Sequence, residues 1–223
     1  MDGLDVGVRM AELEKVNLVD GEGLTFVYLL CEQITESVKH KESFLVKYIS
    51  SNDSPDFLTI YSGAEELSNL YSSMLSMYHE FVRKVARGFK DISKSSEYLV
   101  ALSMVLRSEG VNLNKRDFDV LISNSFDLYV NISDFLSEYS LFSDKYQKMI
   151  SLFSKYRDSS IDEDRFVENL KSLIRELSTW RDDLWRFVRE IYAKARLLED
   201  SYTNAYRLIS HHHPPLSTQG DND

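Results

Sequence analysis

The sequence predicts an all-α fold: an elongated antiparallel helical bundle, or coiled coil, of three long helices plus a shorter N-terminal helix. Three observations predict it. Apolar residues recur in alternating steps of three and four over most of the chain, the spacing of a helical seam. Breakers are sparse, with three prolines and eight glycines in 223 residues, which favours long helices over many short strands. The links between seams are a few residues long, and short links force consecutive helices antiparallel.

Residues 1–22 form a weakly ordered or short-helix segment in which Val6, Met10 and Leu13 share one face. Its polar face is acidic, unlike a membrane-anchoring helix, which carries Lys or Arg there. Residues 23–210 read as a single bundle. The first firm helix runs from about Leu24 to Ser50 on the seam Leu24, Val27, Cys31, Ile34, Val38, Lys41, Leu45, Tyr48. Lys41 alone interrupts it, and a lysine can bury its stem while its ammonium stays wet. Ser50 to Asp53 make the turn.

Ser54, Pro55 and Asp56 open the second helix as N-cap, first-turn proline and acid at the positive end of the macrodipole. Its seam runs from Phe57 through Ile60, Ala64, Leu67, Tyr71 and onward to Leu106, interrupted by Gly88 and Ser95. Gly110 is the natural stop, which makes this helix about 80 Å long. Asn114 caps the third helix, whose seam from Phe118 to Tyr156 is broken only by Ser125. After Asp158-Ser159-Ser160 the fourth helix starts near Asp162. Phe166, Leu170, Leu173, Leu177, Trp180, Leu184, Phe187 and Ile191 keep the heptad; one extra step of four then leads to Ala195, Leu198, Tyr202, Ala205 and Ile209. From Phe166 to Ile209 this helix spans roughly 65 Å. Residues 211–223, with three histidines and two prolines, form a disordered tail.

Each seam is widened by an adjacent heptad position: Ile122, Tyr129, Leu136 and Ile150 on the third helix, and Val167, Ile174 and Val188 on the fourth. A three-in-seven face suits a helix with two or more neighbours. Antiparallel alignment places Ser95 near Leu128, and Ser125 near Tyr98 and Lys194, with Gly88 two turns away. An inserted four-residue step unwinds a supercoil locally, so a bend or close backbone approach is expected at this level.

The net charge is −10, which argues against a general nucleic-acid binder. The lone Cys31 falls on a seam and reads as a buried thiol. No signal sequence and no apolar run of about 18 residues is evident, so the expected location is cytoplasmic, at most peripheral to a membrane. Chemistry is scarce. Gly21-Glu22-Gly23 lacks the third glycine of a phosphate loop. Neither His40 nor His79 follows a glutamate by three residues, as a diiron bundle requires. Glu36 and His40 lie off the seam and read as a solvated pair. No catalytic residue, cofactor or metal site is therefore expected, and the chain reads as a non-enzyme.

The informative polar feature is a basic stripe. Arg83, Arg87, Lys90 and Lys94 recur at steps of four, three and four, with Lys84 beside them. Arg181, Arg186 and Arg189 of the last helix align at a similar height. Such a band can touch lipid headgroups or an acidic partner, although acids are interleaved with it. In architecture, residues 24 to 209 resemble BAR-type domains: three long kinked antiparallel helices with a basic band near a bend. That resemblance implies a crescent-shaped homodimer that binds curved anionic membranes. The alternative expectation is a structural or adaptor coiled-coil protein that binds a protein partner. The first helix covers only half the bundle, which would leave Tyr98, Val105, Trp185 and Tyr192 for that partner.

Overall fold

A computed structural model describes residues 21–51 and 55–212. Of these, 92% are helical and none is in a strand. Four helices follow one another: α1 (Gly21–Ser51), α2 (Phe57–Ser108), α3 (Lys115–Arg157) and α4 (Glu163–Ser210). The expected faces at Val6, Met10 and Leu13, the turn and cap at Asn52 to Ser54, and the tail beyond His212 lie outside the described residues.

The helix ends follow local chemistry. Asp56 caps α2: its carboxylate accepts the Thr59 amide at 2.9 Å and the Thr59 hydroxyl at 2.6 Å. These bonds hold the Asp56 carboxyl below its usual range. Asn114 caps α3 through the Arg116 amide at 3.1 Å, and Asp162 caps α4 through the Arg165 amide at 2.9 Å. α2 ends in a Schellman turn. The Val111 amide reaches Leu106 O at 3.0 Å and the Gly110 amide reaches Arg107 O at 3.1 Å, with Gly110 at φ 93°, the conformation glycine adopts most cheaply. α3 ends the same way, through Ser160 to Lys155 and Ser159 to Tyr156, both 2.9 Å. Here Ser159 holds the left-handed position at φ 56°. α2 runs unbroken through both Gly63 and Gly88.

The helices contribute to two compact units. One, the four-helix unit, joins Leu24–Arg83 to Asn131–Glu190 and contains nearly all of α1. In the other, the three-helix unit, the described helical segments are residues 84–108, 115–130 and 191–210, with Gly21–Gly23 from the start of α1.

In the four-helix unit the α2 seam is buried from Ile60 to Phe81, whereas the expected α1 and α4 seams are only half-buried at Val27, Ile34, Tyr48, Leu173, Trp180 and Phe187, and Thr35, Glu42, Ile174, Arg181 and Val188 are enclosed instead. Tyr71, Tyr78, Phe81, Phe135, Phe142 and Phe166 are fully enclosed. α1 rests on α2 and α4. The Tyr28 ring stacks on Trp185 at 5.5 Å and meets Phe81 at 6.2 Å, and Leu45 packs against Gly63, where a β-carbon would come within 2.7 Å of its side chain. Lys41 reaches out of the α1 seam to Glu66. Trp185 is thus covered by α1, not left for a partner.

In the three-helix unit Leu99, Leu121, Leu128, Leu198 and Ile209 form the core. Polar bonds tie α3 to α4: Lys194 to Asp127 at 2.8 Å, and the Asn124 amide to Leu197 O at 3.3 Å and Ser201 Oγ at 3.2 Å. Tyr202, next to Ser95, has its hydroxyl pushed up to about 12 by burial.

Candidate functional site

Two surfaces and one buried cluster hold the side chains that could act on something else. The first surface is a groove in the three-helix unit. α2 presents Phe89, Val100 and Met104, and α3 presents Ile122, Phe126 and Tyr129. The small residues Ser93, Ser96, Ala101 and Ser125 also line it, Ala101 at an exposed position, and the groove encloses about 590 Å³. Glu97 is its single charged lining residue. Ser125, the one break in the α3 seam, puts a buried hydroxyl oxygen here with no hydrogen-bond partner. Phe126 is 65% exposed, Tyr129 59%, Met104 57% and Ile122 51%. A contiguous apolar surface of this kind marks an interaction site more often than an ordinary protein exterior.

Sequence reasoning missed the groove. It placed Ile122 and Tyr129 on a widened buried face, yet both are exposed because none of the described helices packs against that side of α3. Phe89, Val100, Met104 and Phe126 lie off the seam; their signal is an apolar residue where a solvated face would carry a charge. Of the residues expected to await a partner, Val105 is exposed, while Tyr98 and Tyr192 are half-buried.

The second surface is basic. Lys84, Arg87, Lys90 and Lys94 are all exposed on α2 in the three-helix unit, and none has an ion-pair partner among the described residues. The other four cations of the expected band belong to the four-helix unit. Arg83 is exposed and pairs with Glu80 one turn before it. Arg186 pairs with Asp183 at 3.4 Å and approaches Glu190 at 4.0 Å. The Arg189 guanidinium lies 5.9 Å from the centre of the Trp185 ring.

Arg181 is a correction: it is not on the surface but 5% exposed. It pairs with Glu42 of α1, itself 5% exposed. Tyr71 of α2 donates to the other Glu42 oxygen at 2.5 Å, and Asp182 accepts from Arg181 Nη2 at 3.0 Å. A buried carboxylate and guanidinium must pair, because either alone would forfeit its hydration. The reason for the burial was legible: position 181 completes the α4 heptad flank Val167, Ile174, Val188, the flank that meets α1. Thr35, one heptad before Glu42, is buried on the same side of α1. Its hydroxyl donates to Cys31 O at 2.5 Å and accepts from the Tyr78 hydroxyl at 2.5 Å. The seams alone show no buried polar cluster; the flanks hold one. Its charged groups are spent on each other, which suits a clamp for α1.

The remaining candidates carry little chemistry. Burial pushes the Cys31 thiol up to about 12, so it is a poor nucleophile. Glu36 bonds Lys39 at 2.8 Å and is exposed, as is His40. Among the described residues no group of three or more His, Cys, Asp or Glu side chains could hold a metal ion, and no helix is long and apolar enough to cross a membrane. No protein-family model, curated protein or solved structure matches this chain.

Proposed function

We propose that this chain is a non-enzymatic helical interaction module that binds a polypeptide through the groove between α2 and α3. The carrying observation is the groove itself: an open apolar channel lined by Phe89, Met104, Phe126 and Tyr129 with small residues among them, a form that can receive apolar side chains. A photoreactive residue in place of Tyr129, in the full chain and in the cells that make it, tests this reading. Polypeptide adducts should exceed those from the same group at Ser151, an exposed α3 position remote from the groove lining. Equal labelling from both positions would overturn it.

A second reading is the BAR-like one: a dimeric cytoplasmic module at the surface of a curved anionic membrane. The observation favouring it is the set of four exposed cations Lys84, Arg87, Lys90 and Lys94, which have no ion-pair partner among the described residues. It predicts pelleting with anionic vesicles that falls with salt and with charge reversal at Arg87 and Lys90. It ranks second for two reasons. Arg181 is withdrawn into a buried pair, and α3 carries six acids and no base between residues 117 and 144, so that stretch would be repelled by anionic headgroups.

A further inference from the structure

We infer that residues 1–20 continue α1 as a helix along the three-helix unit, over the face between α2 and α4, and there screen the basic edge of α2. The occupant of that face is a stretch of the chain itself. The inference goes beyond the groove-binding reading and does not rest on it.

The register follows from pairs that α1 makes further along. Leu45 packs against Gly63, and Lys41 pairs with Glu66. α1 and α2 are antiparallel and each is continuous, over Gly21–Ser51 and Phe57–Ser108. Seven residues back along one therefore match seven forward along the other. From Leu45 the α1 line runs through Val38, Cys31 and Leu24, each no more than 2% exposed, and on to Asn17, Met10 and Gly3. From Gly63 the α2 line runs through Leu70, Met77, Lys84, Asp91 and Tyr98. Polar meets polar where Asn17 reaches Asp91, and apolar meets aromatic where Met10 reaches Tyr98.

The outer line agrees. Back from Lys41 stand Ile34, Val27, Asp20, Leu13 and Val6; forward from Glu66 stand Ser73, Glu80, Arg87, Lys94 and Ala101. Asp20 thus relates to Arg87 as Lys41 relates to Glu66, with the signs exchanged. Leu13 lies along the Lys94 stem, and Val6 meets Ala101. Val6, Met10 and Leu13 keep the heptad of α1 without insertion, and the helix holds through Gly21, Glu22 and Gly23, so the phase reaches Asp20 intact. On α4, the line that starts at Trp185 under Tyr28 continues at steps of seven through Tyr192, Glu199 and Tyr206, all half-buried.

Charge selects the side. Residues 1–20 carry five acids and two bases. α2 carries five bases and two acids over residues 84–108, and α4 three bases and two acids over 191–210. α3 carries two bases and three acids over 115–130. An acidic helix is drawn to the α2–α4 side and away from α3. Length agrees as well, since twenty helical residues reach about 30 Å, as far as α2 runs beyond Gly88.

Cysteine cross-linking of the full chain, in a Cys31→Ala background, tests the register. Met10→Cys with Tyr98→Cys should close an intramolecular disulfide roughly tenfold faster than Met10→Cys with Asp91→Cys, one heptad out of step. Unchanged helical circular dichroism shows that both variants fold. Equal rates, a faster Asp91 pair, or a disulfide formed only between two chains overturns the inference. Amide hydrogen exchange of residues 1–20 is the second measurement and needs no cysteine. The segment should be protected in the parent chain, exchange severalfold faster in Arg87→Asp, and recover when Asp20→Arg is added. A segment that exchanges freely in the parent overturns the helix. If Asp20 only caps α1, Arg87→Asp leaves the exchange unchanged, and that result overturns the screening of the basic edge.

Discussion

Two helices, α3 and α4, apply one rule and reach opposite outcomes. The seams of α2 and α3 are mostly buried, and both α3 and α4 widen the seam with apolar flanking residues. On α4 the flank is enclosed, at Ile174 and Val188 in the four-helix unit, because α1 lies over it. On α3 the flank is open, at Ile122 and Tyr129 in the three-helix unit and at Leu136 and Ile150 in the four-helix unit. A seam says which residues must be buried. A flank says only that burial is available if a neighbour arrives. Where the neighbour is α1, even polar flank residues go inside, provided they can pair.

The sharpest way to break this contrast is to truncate one enclosed and one open aromatic. Phe135, fully buried, should cost about 3–5 kcal/mol as Phe135→Ala. Phe126→Ala should fall within about 0.5 kcal/mol in the monomer, since the ring meets solvent. Urea unfolding at a concentration that keeps the chain monomeric measures both. Comparable losses would mean that the α3 flank is structural and the groove is no binding surface.

The α1 clamp gives the next largest effect. Arg181→Leu or Glu42→Leu alone leaves an uncompensated buried charge, at a cost of about 3–5 kcal/mol. Glu42→Leu with Arg181→Leu should recover most of that loss, because an apolar pair replaces an ionic one without a stranded charge. Cys31 supplies a second readout. It is fully buried with a thiol pushed up to about 12, so a thiol reagent reaches it only after opening. Labelling should be slow in the parent chain and much faster in Glu42→Leu. Fast labelling of the parent would show that the clamp does not hold α1 down.

How far these features could be read from the sequence follows the same division. The α2 and α3 seams were largely legible, because a period of 3.5 marks a buried line along a helix; on α1 and α4 the buried line departs from the expected one, enclosing Thr35, Glu42, Ile174, Arg181 and Val188 while Leu173, Trp180 and Phe187 are only half-buried. Helix ends were legible to a few residues through Asn114, Gly110 and Asp162; Asp56, expected inside the first turn, is itself a cap because its carboxylate reaches the Thr59 amide. What periodicity could not supply was the identity of neighbours. Arg181 stands at a flank position the heptad marks, but only Glu42 of another helix, placed against it, makes its burial tolerable. Ile122 looks like core until that side of α3 proves to be open.

A smaller effect separates the two Schellman turns. Gly110 occupies the left-handed position of one at no steric cost, and Ser159 occupies that of the other. Ser159→Gly should stabilise the chain by about 0.5–1 kcal/mol, the relief of a β-carbon crowded against its own carbonyl less the entropy added to the unfolded state. Gly110→Ser should destabilise by a similar amount. Thermal unfolding of both variants measures the pair, and an unchanged midpoint for Ser159→Gly would refute the strain assigned there.

The smallest expected effect concerns the ties between α3 and α4, one in each unit: Lys145 to Glu176 at 2.8 Å and Lys194 to Asp127 at 2.8 Å. The hydrogen bond from Lys145 holds the Glu176 carboxyl below its ordinary value of 4.5. A carboxyl depressed on folding contributes stability that is present above the unfolded value and lost as pH falls through the folded one. Glu176 is 45% exposed and Lys145 30%, so solvent screening limits the contribution to a few tenths of a kcal/mol. Lys145→Met should therefore cost that amount at neutral pH and nothing once the medium is acid enough to protonate Glu176. The same difference at both pH values would mean that the lysine stem, packed along α3, does the work, and that the tie between the helices is apolar, as the groove's walls are.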